Sequence, residues 1–150
     1  MEGSDKMYCE DVDIGNGNIR KIASGLRKYV PIDQMLGANV CVVANLLPRS
    51  IMKVFDSHGM VLAAETPDWT TIVELLSPPE DSEPGDHIFI EGFERKPVDA
   101  LKKDAKKNEY FSVADKFAIN SEGIATFDGH VVQTSKGPLK ATTVRDGVIA

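Results

Sequence analysis

Residues with reactive or ligating side chains are plentiful in this sequence, but their spacing gives them little to do together. His58, His87 and His130 stand far apart, with no second ligand at metal-binding spacing. Glu10, Asp11 and Asp13 form a carboxylate cluster in sequence, yet on a strand Asp11 and Asp13 share one face and Glu10 takes the other. Nine acids lie between residues 61 and 94, without the alternating D-x-D-x-D-G order of a calcium loop. Ser24, Ser57 and Ser135 sit in no G-x-S-x-G elbow. The "GNGN" at 15–18 lacks the Lys-Ser/Thr and the helix that follow a phosphate-cradling loop. Cys9 and Cys41 make no C-x-x-C, and their apolar, strand-like surroundings predict buried, reduced thiols. The expectation is a binding protein rather than an enzyme, with no metal and no cofactor.

The remaining chemistry is charge. The formal net charge is −6, but the signs run in blocks. Residues 17–60 carry a balance of +4, residues 61–94 of −9 and residues 95–107 of +4, and Lys136, Lys140 and Arg145 follow without an acid between 135 and 145. Such blocks either gather into a bipolar surface, which would suit a polyanion, or interleave in space and cancel. The stretch "NLLPRSIMKVFDSHGMVLAAE" at 45–65 poses the choice sharply. It sets Arg49 and Lys53 between two apolar runs, as a plain turn or as a basic lip.

The elements that must position these charges are short strands. "KMYCEDVDI" alternates apolar and polar and is followed by a Gly/Asn turn and "IRKIASGL", which predicts a β-hairpin. Pro31 starts and Gly37 stops one or two helical turns. "ANVCVVANL" (38–46) reads as the most buried strand. "HGMVLAAE", "TTIVELL" and "HIFIEGF" read as further strands, with an acidic Pro/Gly loop at 77–86. Beyond Phe93 a lysine-rich stretch could hold short helices, and "GIATFDGHVVQTS" predicts a hairpin with Asp128-Gly129 at its tip. The fold class is therefore mainly all-β, a small barrel with a β extension. No apolar run approaches the ~20 residues of a membrane-spanning helix, and the acidic start lacks the order of a secretion signal.

The succession of these segments resembles the tRNA-binding domain family, the C-terminal module of aminoacyl-tRNA synthetases and their cofactors that is like endothelial monocyte-activating polypeptide II. The resemblance is carried by "SDKMYCEDVDIG", where the family has D-x-L-Y-x-E-x-I-D-x-G, and by "IRKIASGLRKYVPIDQM", "VVANLLP", "SHGMVLAAE" and "VELLSPPEDSEPGD". It continues through "SEGIATFDGHVVQTSKGPLKATTVRDGVI". It implies a five-stranded OB-fold barrel over residues 1–94 and a lysine-rich connection with a C-terminal β extension over residues 95–150. Two departures stand out. The family's N-L-K-P-x-K-x-R-G loop is here "NLLPRSIMKVF", with Leu47 in place of a lysine and Lys53 standing in for the arginine. The first barrel strand, which in the family precedes the D-x-L-Y element, is missing, and its absence would expose two strand edges.

The implied function is non-catalytic capture of tRNA by backbone charge and shape, in trans or as an appendage of a synthetase. The alternative is a protein-interaction scaffold of a multi-synthetase complex with weakened RNA binding. The implied RNA-binding residues are Arg20, Lys21, Arg27, Lys28, Asn45, Arg49, Lys53 and Ser57. For Asn45 and Ser57 a contact to RNA and a role in tying the loop backbone stay equally open, whereas Gly59 and Met60 are expected to serve packing. Expected partners are tRNA and an aminoacyl-tRNA synthetase, with no membrane, in the cytoplasm. In the family the extension replaces a dimer interface, which implies a monomer unless a neighbouring chain supplies the first strand.

Overall fold

The computed structural model describes residues 6–44, 48–51, 53, 55–67, 72–93 and 113–149. The first two strands, β1 (Tyr8–Asp13) and β2 (Ile19–Ser24), pair antiparallel from Tyr8 opposite Ser24 to Asp13 opposite Ile19. Between them Gly15, Asn16 and Gly17 take φ of 99°, 55° and 73°, the left-handed region that glycine enters freely and asparagine tolerates. Gly15 has a second constraint. A Cβ there would lie 2.7 Å from Gly85 Cα, so the hairpin turn and the acidic loop meet backbone to backbone.

The short helix α1 (Ile32–Met35) follows Pro31 and ends before Gly37, whose φ is 74°. The chain continues through β3 (Val42–Val43), a small hairpin of β4 (Arg49–Ile51) and β5 (Phe55–Ser57), then β6 (Met60–Val61), β7 (Ala63–Glu65), β8 (Val73–Leu75) and β9 (Phe89–Ile90). A 3-10 turn at Ala114–Lys116 leads to β10 (Phe117–Ile119), β11 (Ala125–Phe127), β12 (His130–Thr134), β13 (Gly137–Pro138) and β14 (Val148–Ile149). The β11–β12 tip is the Asp128-Gly129 turn, with both residues at positive φ. β3 pairs with β6, and β4 with β5. One larger sheet runs β13-β12-β11-β10-β14-β7-β8, with β9 added to β12.

The apolar runs of 40–43, 60–64 and 72–76 owe their near-continuity to a core on each face. Cys41, Val43, Met60, Leu62, Ala64, Ile72 and Leu76 face one cluster, shared with Ile119, Ala125, Val132, Leu139, Val144 and Ile149 of the C-terminal segment. Their alternates Val40, Val42, Val61, Ala63, Val73 and Leu75 face another, shared with Tyr8, Val12, Ile22, Leu26, Val30 and Met35. A strand contacted on both faces loses the polar alternation of a half-exposed one. The shared sheet and core make the C-terminal segment continuous with the first half of the chain. Lys136 adds a surface tie, donating to the Asp81 carbonyl oxygen at 2.8 Å and to Asp86 Oδ2 at 3.0 Å.

The structure amends some expectations. Of the strand read over 38–46, the described residues 38–44 hold strand at Val42–Val43, which are half-buried, while Cys41 is fully buried, and residues 45 and 46 lie outside the described residues. Cys9 is exposed, not buried. The pleat of β1 turns Cys9, Asp11 and Asp13 to solvent and Tyr8, Glu10 and Val12 inward. The lysine-rich stretch that could hold helices falls largely outside the described residues, as does Asn45. β1 pairs with β2 alone among the described residues. No described helix is long and apolar enough to cross a membrane.

Candidate nucleic-acid interface

The site starts from the pleat of β2. Ile22 is fully buried and Ser24 nearly so, which puts Arg20 on the same inward face at the strand's beginning. There Arg20 Nη1 donates to the carbonyl oxygens of Ala44 at 2.8 Å and His58 at 3.3 Å. These two carbonyls flank the excursion from residue 45 to residue 57, so one guanidinium holds both of its ends against β2. Two further ties run alongside. The His58 backbone N–H donates to the Lys21 carbonyl at 2.8 Å. The Ala23 N–H donates to Ser57 Oγ at 3.0 Å, and Ser57 Oγ donates to the Gly59 carbonyl at 3.1 Å. Gly59 keeps this junction tight, because a Cβ would sit 3.0 Å from Ile22 Cδ1 and 3.2 Å from the Val43 carbonyl oxygen.

The excursion is thus neither a plain turn nor a loose lip. It carries the β4–β5 hairpin, with Arg49 opposite Ser57 at the base and Lys53 beyond the Ile51–Phe55 pair. Both cations are exposed, and Lys53 takes φ of 59°. On the strand beside them, Lys21 is exposed and meets Asp11 at 3.6 Å, with both side chains largely in solvent. An ion pair in that setting contributes little and exchanges readily. The turn after β2 presents Arg27 and Lys28 to solvent because it buries the residues around them. Leu26 and Val30 enter the core, and the Val30 N–H donates to the Leu26 carbonyl at 2.9 Å.

The eight expected residues therefore divide. Lys21 on β2, Arg27 and Lys28 on the turn after it, and Arg49 and Lys53 on the β4–β5 hairpin are exposed cations. Arg20 and Ser57 are internal ties that hold those elements together, and Asn45 lies outside the described residues. Two acids went unnoticed as site features. Glu10 faces inward from β1, and burial raises its carboxyl to about 7 although the nearby Ser24 hydroxyl draws it down. By distance and angle neither group makes a full hydrogen bond among the described residues. Glu65, at the end of β7, is also raised by burial. For Glu10 the signal was legible, as an acid in register with Tyr8 and Val12. For Glu65 there was none, since it closes an apolar run as any solvent-facing acid would.

Comparison with known proteins adds three findings. The model of the tRNA binding domain family matches residues 1–87. The cytoplasmic tyrosine–tRNA ligase of Xenopus laevis is 40% identical over 147 residues, covering 97% of this chain and 27% of the ligase. The aminoacyl tRNA synthase complex-interacting multifunctional protein 1 of Cricetulus griseus is 33% identical over 147 residues, covering 97% of this chain and 39% of that protein. The chain thus spans well under half the length of these relatives. Among solved structures, the C-terminal domain of Plasmodium vivax p43 superposes with a TM-score of 0.90 at 29% identity, covering 100% of this chain and 88% of that one.

Proposed function

This chain belongs to the tRNA-binding domain family, and we propose that it is a non-catalytic module that captures tRNA by backbone charge and shape, in trans or joined to an aminoacyl-tRNA synthetase. One observation carries the reading most directly. The β4–β5 hairpin is clamped along β2 by Arg20 and Ser57, which ties the hairpin carrying Arg49 and Lys53 to the strand carrying Lys21, with Arg27 and Lys28 on the turn that follows it. A chain with net charge −6 repels a polyanion at long range, and a local cluster of cations offsets that repulsion at contact. In this reading the exposed cations neutralise phosphates, and Arg20 and Ser57 position them. Asn45, in the same excursion, adds a polar contact.

Residues 1–94 act as the RNA-binding OB-type domain and residues 95–150 as an extension completing its core, the whole working as a monomer in the cytoplasm. Its partners are tRNA and a synthetase, by analogy with the ligase and the complex-interacting protein named above. Labelled tRNA titrated with the chain at low salt should give saturable binding that added salt reverses. No binding at low salt would overturn the proposal and favour the scaffold reading.

A further inference from the structure

The turn between β2 and α1 is fastened at both ends. Leu26 and Val30 are buried, and the Tyr29 and Val30 N–H groups both donate to the Leu26 carbonyl oxygen, at 3.0 and 2.9 Å. The Tyr8 hydroxyl donates to the Val30 carbonyl at 2.8 Å, and the Arg27 N–H donates to the Lys6 carbonyl at 3.3 Å. Between the two anchors Arg27, Lys28 and Tyr29 are all exposed. A turn tied down in this way holds its outward residues in a fixed relation, so two cations and an aromatic ring leave the surface from one short arc.

Apolar surface continues beyond the turn. The Leu36 N–H donates to the Ile32 carbonyl oxygen across α1, which sets these two side chains on the same side of the helix. That side faces solvent: Tyr29 is 47% exposed, Ile32 61% and Leu36 74%, whereas Met35 packs on the core. Exposed apolar side chains are unremarkable singly, but a group of them marks a contact surface. Three such residues fall far short of the roughly 20–30 a side of a stable protein interface. The basic pair beside them calls instead for an anion that carries a flat apolar face of its own, and an unpaired nucleotide is both.

Building on the tRNA-binding reading, we infer that Tyr29 is a stacking platform for an unpaired base of the bound RNA, with Ile32 and Leu36 extending its apolar surface and Arg27 and Lys28 meeting the flanking phosphates. Aromatic rings in basic surroundings hold single strands in this way, and stacking tolerates every base because each has a π-face. Bases within an A-form helix are stacked on one another, whereas those of loops, bulges and strand ends can splay onto a ring. The platform therefore adds to capture by charge a selection for unpaired RNA, without a code for its sequence.

The test holds phosphate charge constant and removes the bases. A short oligouridylate, whose bases stack little on one another, is compared with an abasic ribose-phosphate strand of the same length at matched low salt. The oligouridylate should bind the unaltered chain roughly tenfold more tightly, and the Tyr29 ring resonances should move upfield as a base stacks on them. Tyr29→Ala should bind the two strands alike, and Tyr29→Phe, which keeps the ring, should retain the preference. Arg27→Gln and Lys28→Gln together should weaken both strands equally. Should Tyr29→Ala fail to fold, the two strands and the ring resonances of the unaltered chain still decide the matter. A preference that survives in Tyr29→Ala would overturn the platform. Equal affinity of the unaltered chain for the two strands would overturn it too, and leave the apolar surface to a protein partner. Either result accompanied by salt-dependent tRNA binding refutes the platform alone. Absence of tRNA binding at low salt refutes the tRNA reading, and with it the assignment of this surface to RNA.

Discussion

At the start of β2, Arg20 gives its guanidinium to the carbonyls of Ala44 and His58, while the adjacent Lys21 stays in solvent beside Asp11. The two residues look alike in sequence, and only the pleat separates them. Arg20→Ala should therefore act first on stability, leaving two carbonyls without their charged donor and costing about 1.5–3 kcal/mol. Lys21→Ala should leave the melting temperature nearly unchanged and weaken tRNA binding alone. Thermal melts of the two variants check this directly. Glu10 carries a separate prediction. Its folded carboxyl titrates at about 7 against an ordinary 4.5 because it is buried, so the folded state holds the proton more tightly than the unfolded one. Its favourable contribution is full below about 4.5 and is lost as pH rises through about 7. The melting temperature should fall across that window, and Glu10→Gln should flatten the fall. The inward placement of Glu10 is readable from strand alternation, but its desolvation is not, because the apolar groups that seal it come from elsewhere in the chain.

The β4–β5 hairpin shows at the level of elements what sequence reading catches and what it misses. Arg49 and Lys53 between two apolar runs are plain to see, and so are the turns at Gly15–Gly17 and Asp128-Gly129, because turn chemistry is local. The clamp is not visible, since Ser57 meets Ala23 and Arg20 meets Ala44 across 34 and 24 residues of chain. The run 38–46 reads as one long buried strand for a related reason: hydrophobicity records contact on both faces, whereas strand pairing depends on partners that only the fold supplies. Ser57→Ala leaves the half-buried Ala23 N–H without its acceptor, a loss of about 1 kcal/mol. The hairpin should then drift from β2. Affinity for tRNA should fall although no charge has been removed, and hydrogen exchange at the Ala23 amide should quicken. Unchanged exchange there would show that Ser57 holds nothing.

Across the whole molecule, the strands of 40–43, 60–64 and 72–76 are a partition between two cores, one closed by the N-terminal hairpin and the other by the C-terminal segment. Leu139→Ala, at a side chain only 1% exposed, should cost about 2–5 kcal/mol. Because the partition is common to both cores, unfolding should remain a single transition, and two separated transitions would contradict that coupling. The alternation of β2 with the C-terminal hairpin signals an all-β chain from sequence alone, but no local signal announces that one wall serves two cores. In the proposed function the exposed cations of β2, its following turn and the β4–β5 hairpin meet phosphate, and salt dependence measures what they do. In a plot of log affinity for tRNA against log salt concentration, each neutralised phosphate contributes roughly 0.7–0.9 to the slope. The decisive measurement is that slope for the unaltered chain and for the chain carrying Lys21→Glu, Arg27→Glu and Lys28→Glu together, under matched conditions. The account predicts a steep slope for the first and a flatter one, with weaker binding to every tRNA tried, for the second. Equal slopes and equal affinities would contradict it.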